Sequence, residues 1–414
     1  MARGLLRLSD YGISPTRGFL SAEPPLTSFP DPYYAEWDAL LADLPELISS
    51  RALKRRVSAL PALSTAKLSS DLERQRAYVA LGFLIHAHVW GSFADGEEPA
   101  DTVPPQLSEP FLSVCAELDI PPVLLYAGLC LWNWRADHPA AAGEGEDAPF
   151  DLGRLRTLGS FTGTSDEDAF YLVPVLVEAD GAHLVPEFLE AIEAAGRGDA
   201  EFVAGVLARA GETLAALNKH LRKFYSTLDA DTFYHRIRPF LPGGKGMEGQ
   251  GLPRGMVFQR SDGTELAAKF GGGSAAQTSL FQFLDHVLGV EHASSITEVF
   301  KEMRSLMPAK HRQFLDDVSE LPTLRAFVLD NRDNRALEGA FNECLKQLRS
   351  WRGQHMAVVS KYIVQPSRAS AEKDGAEGGA LQGTAGSDLI PFLQQSRVDS
   401  VGVDGKAQRS GGKL

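Results

Sequence analysis

Apolar residues recur every three or four positions through most of this chain, and that spacing predicts helices. The clearest stretch is 203–224, where Val203, Val206, Ala210, Leu214, Leu217, Leu221 and Phe224 fall on one face of a long helix. A second runs from about Arg335 to Tyr362. Its stripe is Phe341, Cys344, Leu348, Trp351, His355, Val359 and Tyr362, so a histidine stands among the core positions. Helical pattern also begins with AEWDALLADLPELI, covers about 66–92 and 108–135, and dominates from Phe170 onward. Period-two alternation is scarce: GMVFQR and TELAAKF are short strand-like pieces bounded by turn residues. The predicted fold is mainly α.

Breaks in the pattern divide the chain. Up to about Pro30 the stretches SPTRGF and AEPPLTSFPDPYY are rich in proline and loop-formers, and predict a wrapping segment with little regular structure. The segment DHPAAAGEGEDAP loses all hydrophobic pattern and places a domain boundary near residue 145. A smaller, mostly helical N-terminal domain over 1–145 then precedes a large helical domain over 146–400. After Pro366, SRASAEKDGAEGGALQGTAGS is small and polar and predicts a mobile loop, followed by the short apolar patch DLIPFLQQSR. Residues 401–414 predict a disordered tail.

Composition narrows the function more than the fold. With 414 residues, 44% hydrophobic and 23% charged, the chain is globular and long enough for two cores. The 54 acidic and 41 basic residues leave a net charge of -13, which repels phosphate backbones and anionic lipid, so neither nucleic acid nor a membrane is an expected partner. No run approaches the roughly 20 apolar residues that cross a bilayer. Asp10 interrupts the apolar start, so no signal peptide is expected. Cys115, Cys130 and Cys344 are too scattered for a disulfide framework or a thiolate zinc site, and suit a reducing, cytoplasmic setting.

Few residues could carry chemistry. His355, on the buried stripe of its helix, suits a proximal haem ligand, though a lone histidine at such a position is more often a packed core residue. Arg352, one turn earlier, could pair with a haem propionate, with a carboxylate such as Asp285, or with a surface acid. The run GGGSAAQTS (271–279) offers bare backbone to something flat, or is simply a tight loop. It is no dinucleotide fingerprint, and GGKG (243–246) lacks P-loop spacing and reads as a turn. Phe233 and Arg238, in TFYHRIRPF, can present an aromatic face with a guanidinium fork suited to a carboxylate, or end a helix with an Arg–acid pair. His86 and His88 fall on different faces of a helix and read as packing; His220 and His235 read as core or surface residues. No Ser-His-Asp order, H-E-x-x-H or kinase signature is present.

Seven segments, in order, resemble the indoleamine 2,3-dioxygenase family across nearly all of residues 20–400. They are IPPVLLYAGLCLWNW (120–134), FYLVPVLVEA (170–179), FYHRIRPFLPGGKG (233–246), GGSAAQTSLFQFLD (272–285), MPAKHRQFL (307–315), RGQHMAVVSKYI (352–363) and GTAGSDL (383–389). The resemblance implies haem b, ferrous when active, with its iron on His355 and with Arg352, Asp285, Gly273, Ser274 and Ala275 beside it. It implies a substrate pocket of Tyr126, Phe170, Phe233, Arg238, Ala275 and Thr384, in which Phe233 and Arg238 do the catalytic positioning and Arg238 meets the substrate carboxylate. The small domain would cap the distal side. The implied substrates are L-tryptophan and O2, the product is N-formylkynurenine, and an electron donor keeps the iron ferrous in a monomeric enzyme. Three positions depart from the family pattern: Pro174 replaces a distal serine of mammalian members, Tyr234 a second phenylalanine, and Ala276 a glycine. Two other readings remain at this stage, a haem-binding paralogue that senses oxygen or redox state, and a non-haem helical interaction protein.

Overall fold

Hydrogen-bonding side chains just ahead of the apolar stripes cap the four longest helices. The computed structural model describes residues 6–93, 96–137, 150–374, 383–384, 389–400 and 402–403. Three short helices, α1 (Ala35–Ala42), α2 (Leu44–Ser49) and α3 (Leu53–Ser58), lead to the long α4 (Asp71–Trp90). Ser70 caps α4 reciprocally: its hydroxyl accepts from the Glu73 N–H, and the Glu73 carboxylate accepts from the Ser70 N–H. Every residue from Arg76 to Ala87 is buried, so α4 runs through the middle of the molecule. α5 (Pro105–Leu118) packs on it. The helical pattern over 108–135 is not one helix. Asp119 turns left-handed at φ 46°, Pro121 and Pro122 follow, and a π turn (Ala127–Leu131) takes up the end of the stretch.

α6 (Ser165–Asp180) starts five residues ahead of the apolar run because the Thr164 hydroxyl accepts from the Glu167 N–H. Then come α7 (Leu184–Gly196), α8 (Ala200–Thr227), the single turn α9 (Ala230–Thr232), α10 (Ser279–Val287), α11 (Ser294–Ser305), α12 (Ala309–Ser319), α13 (Leu324–Asp330) and α14 (Arg335–Val359). The two long stripes seen in sequence belong to α8 and α14, which lie against each other. Gly211 faces the Cys344 backbone there, where a Cβ would make ordinary contact at 3.6 Å from the Cys344 Cα.

α14 passes through a π turn (Ser360–Val364) into α15 (Gln365–Asp374), and α16 (Leu389–Asp399) follows. Residues 367–374 are therefore helix, not loop. Pro366 lacks the N–H that would close another α turn, and the wider turn just before it absorbs the mismatch. The rest of the expected loop (375–382 and 385–388), the boundary near 145 and the tail 404–414 fall outside the described residues.

Strands are few: β1 (Thr102–Val103), β2 (Arg135–Ala136), β3 (Leu155–Arg156), β4 (Met256–Gln259) and β5 (Glu265–Ala268). The two strand-like pieces form the β4–β5 hairpin, with Met256 opposite Ala268 and Gln259 opposite Glu265; β1 adds in parallel to β4, and β2 pairs antiparallel with β3. Two large hydrophobic cores result. One gathers α4, α5 and the 127–131 turn with Tyr171, Leu221, Phe258 and Tyr362, and so draws on both sides of residue 145. The other is built on α7, α8, α10, α12 and α14. The three cysteines are free and buried. Among the described residues, no helix is long and apolar enough to cross a membrane.

Candidate active site

Three π turns border one cavity of about 260 Å³: Ala127–Leu131, Phe233–Ile237 and Ser360–Val364. A π turn adds a residue without lengthening the helix in proportion, which bulges the backbone and re-aims its side chains. Leu129, Cys130, Phe233, Tyr362 and Ile363 line the cavity from these turns. The wall is mainly apolar, and it brings together Tyr126, Phe170, Phe233, Arg238, Gly273, Ser274, Ala275, Asp285, Arg352, His355 and Thr384. An open groove of about 930 Å³, lined by Arg260, Lys301, Arg304 and Arg312 among others, contains none of these residues.

His355 projects from the last turns of α14. Protein encloses its imidazole, and burial lowers its pKa to about 4, so the ring is neutral at physiological pH. It still keeps accessible surface, because it opens onto the cavity. No described residue hydrogen-bonds to it. A neutral imidazole with an uncommitted nitrogen facing a cavity is the state in which histidine can ligate a metal. Among the described residues no group of three or more His, Cys, Asp or Glu side chains forms a metal cluster.

Arg352, one turn before, is buried and fully engaged. Its Nη2 reaches both Asp285 oxygens, at 2.5 Å for Oδ2, and its Nη1 donates to the Ser396 carbonyl at 3.1 Å and to the Ser400 hydroxyl. The Asp285 carboxylate, one of the partners open in the sequence, is among them. The pair is extended by His292, whose ring nitrogens stand 3.0 Å from Asp285 Oδ2 and 3.2 Å from Asp399 Oδ2. Burial pushes the Asp285 pKa up, and the Arg352 charge with the His292 contact outweigh it, so the carboxyl stays below its usual range. The network binds α14 to α10 and to α16, which adds Leu393 and Ser396 to the cavity wall.

Phe170 and Phe233 pack with ring centroids 4.7 Å apart, and Phe233 meets Tyr362 edge-on at 6.3 Å. Arg238 opens the short 3-10 turn after the second π turn, its guanidinium carbon 5.4 Å from the Tyr234 ring centre. Burial lowers its pKa, while Tyr234 acts the other way. The glycine loop packs tightly against protein, as a tight loop would. A Cβ on Gly272 would lie 2.0 Å from the Leu241 carbonyl oxygen, and one on Gly273 would lie 2.3 Å from Leu129 Cδ1. The backbone contact demands glycine at 272, whereas the Leu129 tip can shift away from residue 273, and Gly273, Ser274 and Ala275 also face the cavity. Gln277 holds this loop, donating to the Gly272 carbonyl at 2.8 Å and accepting from the Tyr126 N–H at 2.9 Å. Thr384 closes over it: its hydroxyl donates to the Gly273 carbonyl at 2.6 Å, and its own carbonyl accepts from the Gly272 N–H at 3.0 Å.

Two members of this neighbourhood escaped the sequence reading. Glu178, buried on α6, accepts from the Tyr126 and Thr278 hydroxyls, both on residues that line the cavity. The signal for it was a carboxylate inside the apolar run VPVLVEA. His292 left no signal, since it sits in a loop whose partners are distant in sequence. His86 is a packing residue as read: its Nδ1 is 2.8 Å from the Phe240 carbonyl, and its Nε2 accepts from the Leu124 N–H at 3.0 Å.

A family model described as indoleamine 2,3-dioxygenase matches residues 7–401. The chain belongs to the indoleamine 2,3-dioxygenase family. It is 34% identical over 399 residues to an indoleamine 2,3-dioxygenase of Aspergillus candidus, covering 94% of this chain and 95% of the relative. To the 6-hydroxytryptophan 2,3-dioxygenase of Fusarium equiseti it is 34% identical over 410 residues, with 95% and 97% covered. To the indoleamine 2,3-dioxygenase of Saccharomyces cerevisiae it is 33% identical over 437 residues, with 96% and 94% covered. The resemblance read from seven segments thus extends over almost the whole chain, and the protein is an oxidoreductase of the dioxygenase class.

Within the indoleamine 2,3-dioxygenase family, the departures acquire a place. Pro174 lies inside α6 and lines the cavity, so it brings no hydroxyl and has no N–H for the Phe170 carbonyl one turn back. Tyr234 lies against Arg238 and His235. Ala276 packs beside the cavity in the short turn Ala275–Gln277, where the Ser274 hydroxyl accepts from its N–H at 3.3 Å.

Proposed function

We propose that this member of the family is a haem-dependent enzyme that opens the indole C2–C3 bond of L-tryptophan with dioxygen, giving N-formylkynurenine, the first step of the kynurenine pathway. The observation that carries the reading is His355: neutral, without a hydrogen-bond partner among the described residues, and facing a mostly apolar cavity. Those are the needs of an imidazole that would hold haem iron, so the residues present fit the group, with His355 as the residue that would bind the metal. Ferrous haem b supplies the activation of dioxygen, both of whose atoms enter the product.

The chain's own work is positioning. Phe170, Phe233 and Tyr126 hold the indole plane by apolar and stacking contacts, and Arg238 fixes the carboxylate end with its fork. Arg352 ties α14, which carries His355, to Asp285, Ser396 and Ser400, and it lines the cavity that would take the cofactor. The Thr384 hydroxyl ties its segment to the glycine loop on the same wall. In this reading residues 1–145 cap the distal side, contributing Tyr126 and Leu129. An electron donor to the iron, a monomeric state and a cytoplasmic setting belong to it as well.

The test is aerobic turnover of L-tryptophan by haem-loaded, chemically reduced protein, with His355→Ala as control and 6-hydroxytryptophan as the competing substrate. N-formylkynurenine from the wild type alone supports the reading. A haem spectrum without product from L-tryptophan overturns the substrate, and a colourless protein after haem supplementation overturns the cofactor.

A further inference from the structure

Glu178 is enclosed on α6 where two cavity-lining residues meet. The Tyr126 hydroxyl donates to its Oε1 at 3.0 Å and the Thr278 hydroxyl donates to the same oxygen at 2.6 Å, while Oε2 is buried without a hydrogen-bond partner. An ionised carboxylate spreads its charge over both oxygens, so a buried Oε2 without a protein partner favours the neutral acid. Burial raises the Glu178 pKa to about 7, against the two hydroxyl contacts that lower it. The groups that titrate beside it are Tyr126 and the Cys130 thiol, both pushed well above their usual range by burial and by Glu178 itself. On its own helix Asp180 is engaged with His220 at 2.6 Å. No charged side chain among the described residues contributes to its shift.

We propose that Glu178 is a positioning residue whose protonation decides whether the Tyr126 and Thr278 hydroxyls offer the cavity a hydrogen-bond donor or only acceptors. This rests on the cavity being the substrate site. When ionised, the carboxylate takes both hydroxyl hydrogens, and the two oxygens can only accept from a ligand. When protonated, the carboxyl donates its own O–H to one of them, and that hydroxyl's hydrogen turns to the cavity. The balance is one proton taken up from solvent and one donor gained by the wall. A ligand with an acceptor at this spot binds better on the acid side, by about fivefold for one hydrogen bond.

The decisive measurement is the infrared carboxylic-acid band of the holoprotein across pH, assigned by its loss in Glu178→Gln. The band is expected to vanish with a midpoint near 7, and to shift to higher pH in Tyr126→Phe and in Thr278→Val, since each removes a donor that favours the charged form. A midpoint in the ordinary carboxylate range, or one that neither hydroxyl variant moves, overturns the proposal. Spectral titration of the ferric holoprotein with L-tryptophan adds the ligand side: affinity should change about fivefold across that midpoint in the wild type and stay flat in Glu178→Gln. Equal pH dependence in both proteins overturns it. Failure of L-tryptophan to bind at any pH defeats the substrate reading instead, and the infrared midpoint still decides the state of Glu178.

Discussion

Arg238 keeps its guanidinium inside a wall that is otherwise mostly apolar, stacked toward Tyr234 and close to Phe233 in sequence and in space. If it meets the substrate carboxylate, Arg238→Ala removes a desolvated charge contact worth roughly 2–5 kcal/mol. The Michaelis constant for L-tryptophan then rises at least about 30-fold. Arg238→Lys recovers only part, because a point charge cannot reproduce the two-pronged fork. Steady-state kinetics with an unchanged Michaelis constant would move the carboxylate contact elsewhere. His86 makes a different kind of prediction. Its two contacts require the neutral tautomer with the hydrogen on Nδ1, and burial lowers its pKa to about 4 from 6.5. The stabilisation is therefore complete above pH 6.5 and is lost as pH falls toward 4, to the extent of about 3 kcal/mol. His88 and His311 are lowered to about 4 by burial and act in the same direction. Urea midpoints at pH 7 and 4.5 should differ less in His86→Gln than in the wild type. At this scale the sequence spoke clearly only where residues belong to a motif. The segments brought Tyr126, Phe170 and Thr384 to attention, and the structure puts all three on the cavity wall; Glu178 stands in the same segment as Phe170 but drew no notice, because its two hydroxyl partners lie 52 and 100 positions away.

Helices were legible wherever one stripe decides their burial, as in α8 and α14. They were misread where the backbone changes character inside a continuous pattern. The π turns at 127–131, 233–237 and 360–364 interrupt apolar runs that look unbroken, because one extra residue per turn leaves little trace in hydrophobic spacing. Residues 367–374 gave no helical signal because SRASAEKD has almost no apolar face; in the structure they continue α14 through the 360–364 turn. The tie between α14, α10 and α16 gives this scale its prediction. Arg352→Ala leaves Asp285 buried with only His292 and no guanidinium, a loss of about 3–5 kcal/mol for a broken buried pair. Hydrogen exchange in 389–399 should accelerate well beyond that in α8. Equal protection of the two in the variant would show that α16 is held by its apolar contacts through Leu393 instead.

At the scale of the whole molecule, the mainly α fold followed from periodicity, but the position of the cavity did not. It lies between elements 126–130, 170–177, 221–241, 273–285 and 351–363, which only the packing of α6, α8 and α14 brings together. The expected boundary near 145 was drawn from a stretch without apolar pattern, and such a stretch says where a chain is polar, not how its cores are shared. Here one core takes Trp37, Phe83 and Trp132 from before that point and Phe161, Leu221 and Phe258 from after it. A chain severed near residue 145 would have two pieces with complementary exposed faces, neither of which completes that core alone. Coexpressed as separate polypeptides, they should reassemble into a noncovalent heterodimer that copurifies through a tag on either piece. Each piece made alone should aggregate. In that sense the molecule is a permanent complex with itself, joined once by a peptide bond and again by every side chain of the shared core.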